Sequence, residues 1–273
     1  MQKNLNEVEF VIFDVETTGL SPLDGDRIIE IAALRLRAGK EGEEFHSLIN
    51  PQREISWAAF AVNHISGEML KGAPLSQIIL PRFLDFCGKS CLAGYNVNFD
   101  LSFVNHELSF LQRTPAVDVP VIDILKMARS LLPDLESHSL SKVISALGLR
   151  QSQEHRALSD VRLTTKALKH FLKILADRGV SSFGNLFTLF GVNHSLIADA
   201  KQQKLDRIQQ AIDLGVELQI KYFSGSTGEV TQRKIKPLEI KQEKNKDMLV
   251  AYCHLRKGER TFSLDRIIHM EML

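Results

Sequence analysis

The run Val8-Glu9-Phe10-Val11-Ile12-Phe13 ends on Asp14-Val15-Glu16. In an extended strand successive side chains alternate faces, so Asp14 and Glu16 point the same way, with their carbons roughly 7 Å apart. Carboxylates buried beside an apolar core cost several kcal/mol unless a cation or hydrogen-bond donors compensate. No Lys or Arg occurs between Lys3 and Arg27. A divalent ion is the partner this pattern calls for. Two further aspartates, Asp100 and Asp160, recur in apolar surroundings downstream.

The pattern around them predicts an α/β domain. Residues 8 to 16, 27 to 37 and 45 to 49 read as strands, joined by short glycine-bearing connections that imply antiparallel pairing. Helical spacing follows from Leu75 to Phe86, where Pro81 is expected to kink or divide the helix. Cys91 to Gly94 reads as a brief strand, and helices are expected near residues 99 to 111, 124 to 131, 140 to 147 and 157 to 175. Strands alternating with helices imply a mixed sheet. Ser181-Ser182-Phe183-Gly184-Asn185 reads as loop, residues 196 to 214 as a helix, and short strand candidates follow at 218 to 223, 230 to 235, 248 to 254 and 260 to 264. These suggest a small β-barrel or sandwich. The expected division is therefore residues 1 to 178, a linker and helix from 179 to 214, and a β domain from 215 to 273.

Bulk properties narrow the class. A 273-residue chain with 44% hydrophobic and 25% charged residues can bury a sizeable core. After residue 200 there are 14 basic against 10 acidic residues, whereas 20 basic face 23 acidic ones ahead of it. The tail is the basic part. An acidic front does not exclude nucleic acid, because acids loaded with metal present a cationic surface. Cys87, Cys91 and Cys253 form neither a closed disulfide set nor zinc-finger spacing, and fit buried free thiols. No apolar run reaches the ~18 residues of a membrane span, and no leader pattern opens the chain. The expectation is a soluble, cytoplasmic protein without membrane association.

Helical spacing aligns Asp160 with Ala157, Thr164 and Leu168 on an inward stripe, and Asp100 opens a helix whose Phe103, Val104 and Leu108 form the buried face. Four acids from three distant segments thus have the means to converge. Asp14-Val15-Glu16-Thr17-Thr18-Gly19, Asn96-x-x-Phe99-Asp100-x-x-Phe103 and His155-Arg156-Ala157-Leu158-x-Asp160 resemble, in order, the three motifs of the histidine-bearing DEDD (DEDDh) exonucleases. That group includes the epsilon proofreading subunit of bacterial replicases. The stretches 62 to 66 and 122 to 129 resemble its inter-motif segments.

The resemblance implies a ribonuclease H-like fold in which Asp14, Glu16, Asp100 and Asp160 hold two Mg²⁺ or Mn²⁺ ions about 4 Å apart. It implies that His155 is the general base, a role suited to a group titrating near neutrality. Thr17, Thr18 and Gly19 are then placed to offer amides and small side chains to the terminal nucleotide, and Asn96 to orient the second motif or touch substrate. Asn63 and His64 fall in the segment that contacts substrate, with Asn63 standing where the epsilon subunit carries a histidine. Tyr95 replaces the histidine that often precedes the second-motif asparagine.

Each residue also has a plainer reading. Asp14 and Glu16 alone fit a solvated strand end, and Asp160 a partner for Arg156 or Arg162; joint occurrence with His155 reverses that weighing. His64, His106, His138 and His170 individually fit surface or packing roles. Phe99 and Phe103 fit the core, with Phe103 a candidate to stack on a base. Trp57 could cover the site, although nothing local requires it.

Residues 205 to 273 resemble the WYL domain, a small Sm-like or SH3-like β fold, through Leu218-x-Ile220-x-Tyr222, Leu249-Val250-Ala251-Tyr252 and Arg260-x-Phe262-x-Leu264-Asp265-Arg266. Asp247-Met248-Leu249 replaces the tripeptide for which that domain is named. The resemblance implies that Tyr222, Arg256, Arg260 and Arg266 bind an anionic ligand or a nucleic-acid strand; a solvated basic surface is the rival reading. The whole points to a 3′→5′ exonuclease releasing nucleoside monophosphates, with DNA bearing a 3′ end favoured over RNA. The alternatives are an exoribonuclease or a nucleic-acid-binding regulator working through its tail, and a polymerase or repair partner stays open.

Overall fold

The computed structural model describes residues 3–111, 119–149, 154–192, 194–243 and 246–273. Its first sheet has five strands in the order β3-β2-β1-β4-β5. β1 (Glu9–Thr17), β2 (Ile28–Arg37) and β3 (Lys40–Leu48) run antiparallel, while β4 (Cys91–Gly94) and β5 (Val121–Asp123) add parallel to β1. The sheet is mixed, as the pattern implies.

Side-chain parity explains how β1 serves two layers. Val11, Phe13 and Val15 enter one core with α3 (Ser76–Cys87) and α4 (Asn98–Phe110). Phe10 and Ile12 enter the other, with α5 (Ile124–Leu131), α6 (Leu140–Ala146) and the 21-residue α7 (Ala157–Asp177). On β2 the even positions Ala32, Leu34 and Leu36 face the same α7 layer. Even parity carries Asp14, Glu16 and Glu30 onto that layer too. The even stripe changes from apolar to acidic toward the end of β1.

Several elements depart from expectation. The third strand begins at Lys40 rather than Phe45, because Lys40 and Glu41 already pair with Arg37 and Leu36 across the turn at Ala38 and Gly39; Glu41, Glu43 and Glu44 lie exposed on this edge strand, where charges discourage further pairing. Pro81 sits inside an undivided α3. Helices α1 (Trp57–Asn63) and α2 (Gly67–Leu70) start on Ser56 and Ser66, whose hydroxyls accept from the amides of Ala59 and Met69. The stretch read as loop at 181 to 185 contains a helix start instead. Ser182 caps α8 (Phe183–Phe190), and Phe183, Leu186, Phe187 and Phe190 give it an apolar stripe in the α7-side core.

The second sheet is five-stranded and antiparallel, in the order β10-β6-β7-β8-β9, from β6 (Leu218–Phe223), β7 (Val230–Glu243), β8 (Lys246–Cys253), β9 (Gly258–Ser263) and β10 (Ile267–Met272). β7 outruns its expected length past a bulge at Pro237/Glu239, and β10 was not anticipated. α9 (His194–Asp213) contributes Ile208 and Ala211 to this sheet's core. The two sheets are joined by packing: Phe223 and Ile268 enter the first core, Phe223 meets Phe190 edge-on at 5.9 Å, and Arg178 donates to the carbonyl of Gly228. Among the described residues no helix is long and apolar enough to cross a membrane.

Candidate active site

Beyond Ile12, β4 no longer pairs with β1, since the last matched residues are Ile12 and Ala93. The Val15 amide instead donates to Asp100 Oδ1 at 3.0 Å. That bond places the buried Asp100, in the first turn of α4, beside the acidic end of β1. α7 crosses the same end and delivers Asp160 from its own first turn. Ligand oxygens of Asp14, Glu16 and Asp160 all lie within 4.8 Å of one another.

The charges crowd. Burial, followed by the Asp100, Glu16, Asp160 and Glu30 carboxylates, pushes Asp14 well above the usual carboxylate range. Burial and the charges of Asp160, Glu30 and Asp100 raise Glu16 to about 8, against a lowering hydrogen bond from Asn63. Burial also raises Asp100 to about 8, although the Val15 amide works in the opposite direction. Such a group of hard oxygen donors with surplus negative charge suits Mg²⁺ or Mn²⁺ better than soft or nitrogen-seeking metals. The residues therefore fit a divalent-ion site on their donor chemistry.

His155 is exposed and holds a left-handed backbone conformation, φ 51°, immediately before Arg156 caps α7. Glu30, cross-strand partner of Glu16, is 1% exposed and accepts from Arg156 Nε and Nη2 at 3.1 and 2.6 Å. It also accepts from the Ala157 amide at 2.9 Å.

A model of the exonuclease family described as RNase_T matches residues 11–168. The chain belongs to the exonuclease family. A WYL domain model matches residues 203–272. The chain is similar to a PolC-type DNA polymerase III of Thermotoga maritima, 33% identical over 229 residues, which are 80% of this chain but 16% of that protein. It is also similar to a DNA polymerase III subunit epsilon-like protein of Rhodobacter capsulatus, 36% identical over 188 residues, 67% of this chain and 26% of the relative. It thus spans a small part of these relatives' length. Among solved structures, exonuclease X in complex with 5′-overhanging duplex DNA aligns with a TM-score of 0.51 and 25% identity over 61% of this chain and 93% of that one. An exonuclease I structure shares the fold at 20% identity and a TM-score of 0.57, over 90% of this chain and 55% of that chain.

Within this exonuclease fold the remaining expected residues have varied positions. Thr18 is fully buried, with its hydroxyl on Asp26 and the Arg27 amide donating back to it. Thr17 is also buried, its hydroxyl donating to the Gly19 carbonyl at 2.5 Å. These threonines shape the turn. At Gly19 a Cβ would collide with the Asp26 carboxylate, which explains why that position lacks a side chain. Asn63 is buried against β1, its amide 3.4 Å from the Thr17 carbonyl, while His64 is exposed at φ 56° with its ring on Phe60. Asn96, exposed at φ 59°, donates its backbone amide to Asp123 Oδ1 at 3.2 Å. Phe103 has no accessible surface and packs 5.0 Å from Phe99, so it offers no face to a base; the stacking role read for it gives way to a core role. Trp57 is 78% exposed beside Phe60.

Residues that sequence reasoning missed are Glu30, Asp123 and Asp26. Glu30 had a signal, an acid inside the apolar run Ile28-Ile29-Glu30-Ile31. In the second sheet, Tyr222 OH accepts from the Ser263 amide at 3.4 Å, and Tyr222 pairs in register with Ile267, next to Arg266. Arg256 sits on the turn at the opposite end of the six-residue β9, roughly 20 Å away along an extended strand. Arg260 lies exposed between them on β9. Arg256 and Arg266 thus flank opposite ends of β9.

Proposed function

We propose that the chain is a metal-dependent 3′→5′ exonuclease acting on DNA. The observation that carries this reading is the approach of Asp14, Glu16 and Asp160 to within 4.8 Å at the end of β1, with Asp100 buried alongside. These four acids would hold a pair of Mg²⁺ or Mn²⁺ ions, which when bound supply Lewis acidity and an activated water. The protein's own part is to fix the acids on rigid strand and helix ends and to present His155 from an anchored turn. His155 accepts the proton of the water whose oxygen attacks the terminal phosphorus. The P–O3′ bond breaks as the new P–O bond forms, and O3′ takes up a proton from solvent, leaving a 3′-hydroxyl on the shortened strand and a 5′-nucleoside monophosphate.

The basic C-terminal β domain would add a sequence-independent hold on phosphates through Arg256, Arg260 and Arg266, weakening as salt rises. In this reading the chain divides into an exonuclease part to about residue 178, a connecting segment to 214 and the β domain. The deciding experiment incubates wild type and Asp14→Ala with labelled single-stranded DNA, duplex DNA and RNA in Mn²⁺. Wild type is expected to release mononucleotides from the 3′ end of DNA, and Asp14→Ala to release none. Equal activity in both proteins would remove the site, and a stronger action on RNA would reassign the substrate.

A further inference from the structure

Glu16 and Glu30 are directly opposed on β1 and β2, and directly opposed antiparallel residues share a face with Cβ atoms about 4.5–5.5 Å apart. One of these two acids lies in the carboxylate cluster and the other binds an arginine. Glu30 takes the Arg156 guanidinium in a two-pronged contact, takes the Ala157 amide, and has His46 Nε2 2.8 Å from Oε1. Arg156 is a residue with two credible partners. It lies near enough to feel the Glu16 charge, and it sits between His155 and the helix turn that carries Asp160. A guanidinium engages carboxylates bidentately and cannot shed its charge. Turned toward Glu16, it would neutralise the cluster and compete with a divalent ion for the same oxygens.

We infer that Glu30 is a positioning residue that holds the Arg156 guanidinium away from Glu16, Asp14 and Asp160 and so keeps those acids available to metal. The inference rests on the metal-site reading above. Glu30 outcompetes Glu16 because its carboxylate gathers four contacts from three residues in a buried place. The same contacts tie the first amide of α7 to β2, so that the hold on Arg156 and the placement of Asp160 share one anchor.

The test is calorimetric titration of Mn²⁺ into the metal-free full chain, a readout independent of turnover. Glu30→Gln keeps the shape and one acceptor but loses the charge, and should weaken Mn²⁺ binding roughly 10–100-fold, the usual effect of removing a group that orients metal ligands. In Glu30→Gln/Arg156→Gln most of that affinity should return, because the competing cation is gone. A double variant that binds no better than Glu30→Gln would overturn the inference in favour of a purely structural contact. So would Glu30→Gln binding like wild type.

Single changes at Arg156 decide the matter independently of how well Glu30→Gln folds. Arg156→Lys keeps a cation but loses the fork, and should weaken Mn²⁺ binding more than Arg156→Gln does. A structural role predicts the reverse order, with the conservative lysine the milder change, and that order would overturn the inference. If the unsubstituted chain takes up no Mn²⁺, the metal site itself falls and the role of Glu30 with it.

Discussion

Glu16 and Asp100 carry carboxyls raised to about 8, far above the value near 4 expected for an unfolded chain. Between those values the metal-free folded protein retains protons that the unfolded chain sheds. By linkage, stability then falls as pH rises from about 4 to about 8 and levels off above that. Thermal melts in chelator across this window should show the decline, and Mn²⁺ at pH 8 should reverse it through binding to the folded state alone. A melting temperature that climbs with pH in chelator would contradict the crowding of unneutralised acids. His155 yields a kinetic expectation. On the proposed mechanism His155→Gln removes the proton acceptor and should lower kcat by about 10²–10⁴-fold, the ordinary scale of general-base catalysis, while Mn²⁺ affinity stays near that of wild type. A matching fall in Mn²⁺ affinity would make it a ligand rather than a base.

The elements bearing these residues were legible to different degrees, for physical reasons. The apolar run of β1, buried on both faces, ends on two acids one strand period apart, and the inward stripe of α7 announces itself because burial on one face imposes a helical period. Asp14, Glu16, Asp100 and Asp160 fall on those periods. Glu30 did not register as special, since β2 is buried on both faces and its parity is hidden in a continuous apolar run. α8 was hidden by Ser181-Ser182 and Gly184-Asn185, which suit a turn as well as they suit a helix cap. The core reading of Phe103 followed from its helical spacing, whereas its spacing near the motif could not reveal that its complete burial leaves no face for a base. Asp123 illustrates a link no local pattern discloses: one oxygen caps α5 through the Leu125 amide at 2.9 Å and also accepts from Asn96. Asp123→Ala should cost about 1 kcal/mol or somewhat more in denaturant unfolding, the typical price of a lost N-cap. It should also raise the KM for DNA by loosening the turn before α4. Unchanged stability would show that the cap is dispensable.

At the scale of the molecule the two sheets share packing rather than hanging on a flexible tether. Phe223 leaves its own β domain to meet Phe190, and Gly228, at φ +65°, brings the β6–β7 turn against the Ser130 carbonyl and Arg178. Phe223→Ala should cost about 3–5 kcal/mol, as for other large buried aromatics, and split one unfolding transition into two. A single unshifted transition would show that this joint does not couple the parts. That shared packing ties the β domain to the α7-side core of the first sheet. The central claim is that remote acids meet at the end of β1 to hold divalent ions. Crystals of the full chain soaked in Mn²⁺ and measured for anomalous scattering test it most directly. Peaks bridging Asp14, Glu16, Asp100 and Asp160, with Arg156 still on Glu30, are the expected result; a map with no peak at these acids, or with the Arg156 guanidinium among them, would contradict it.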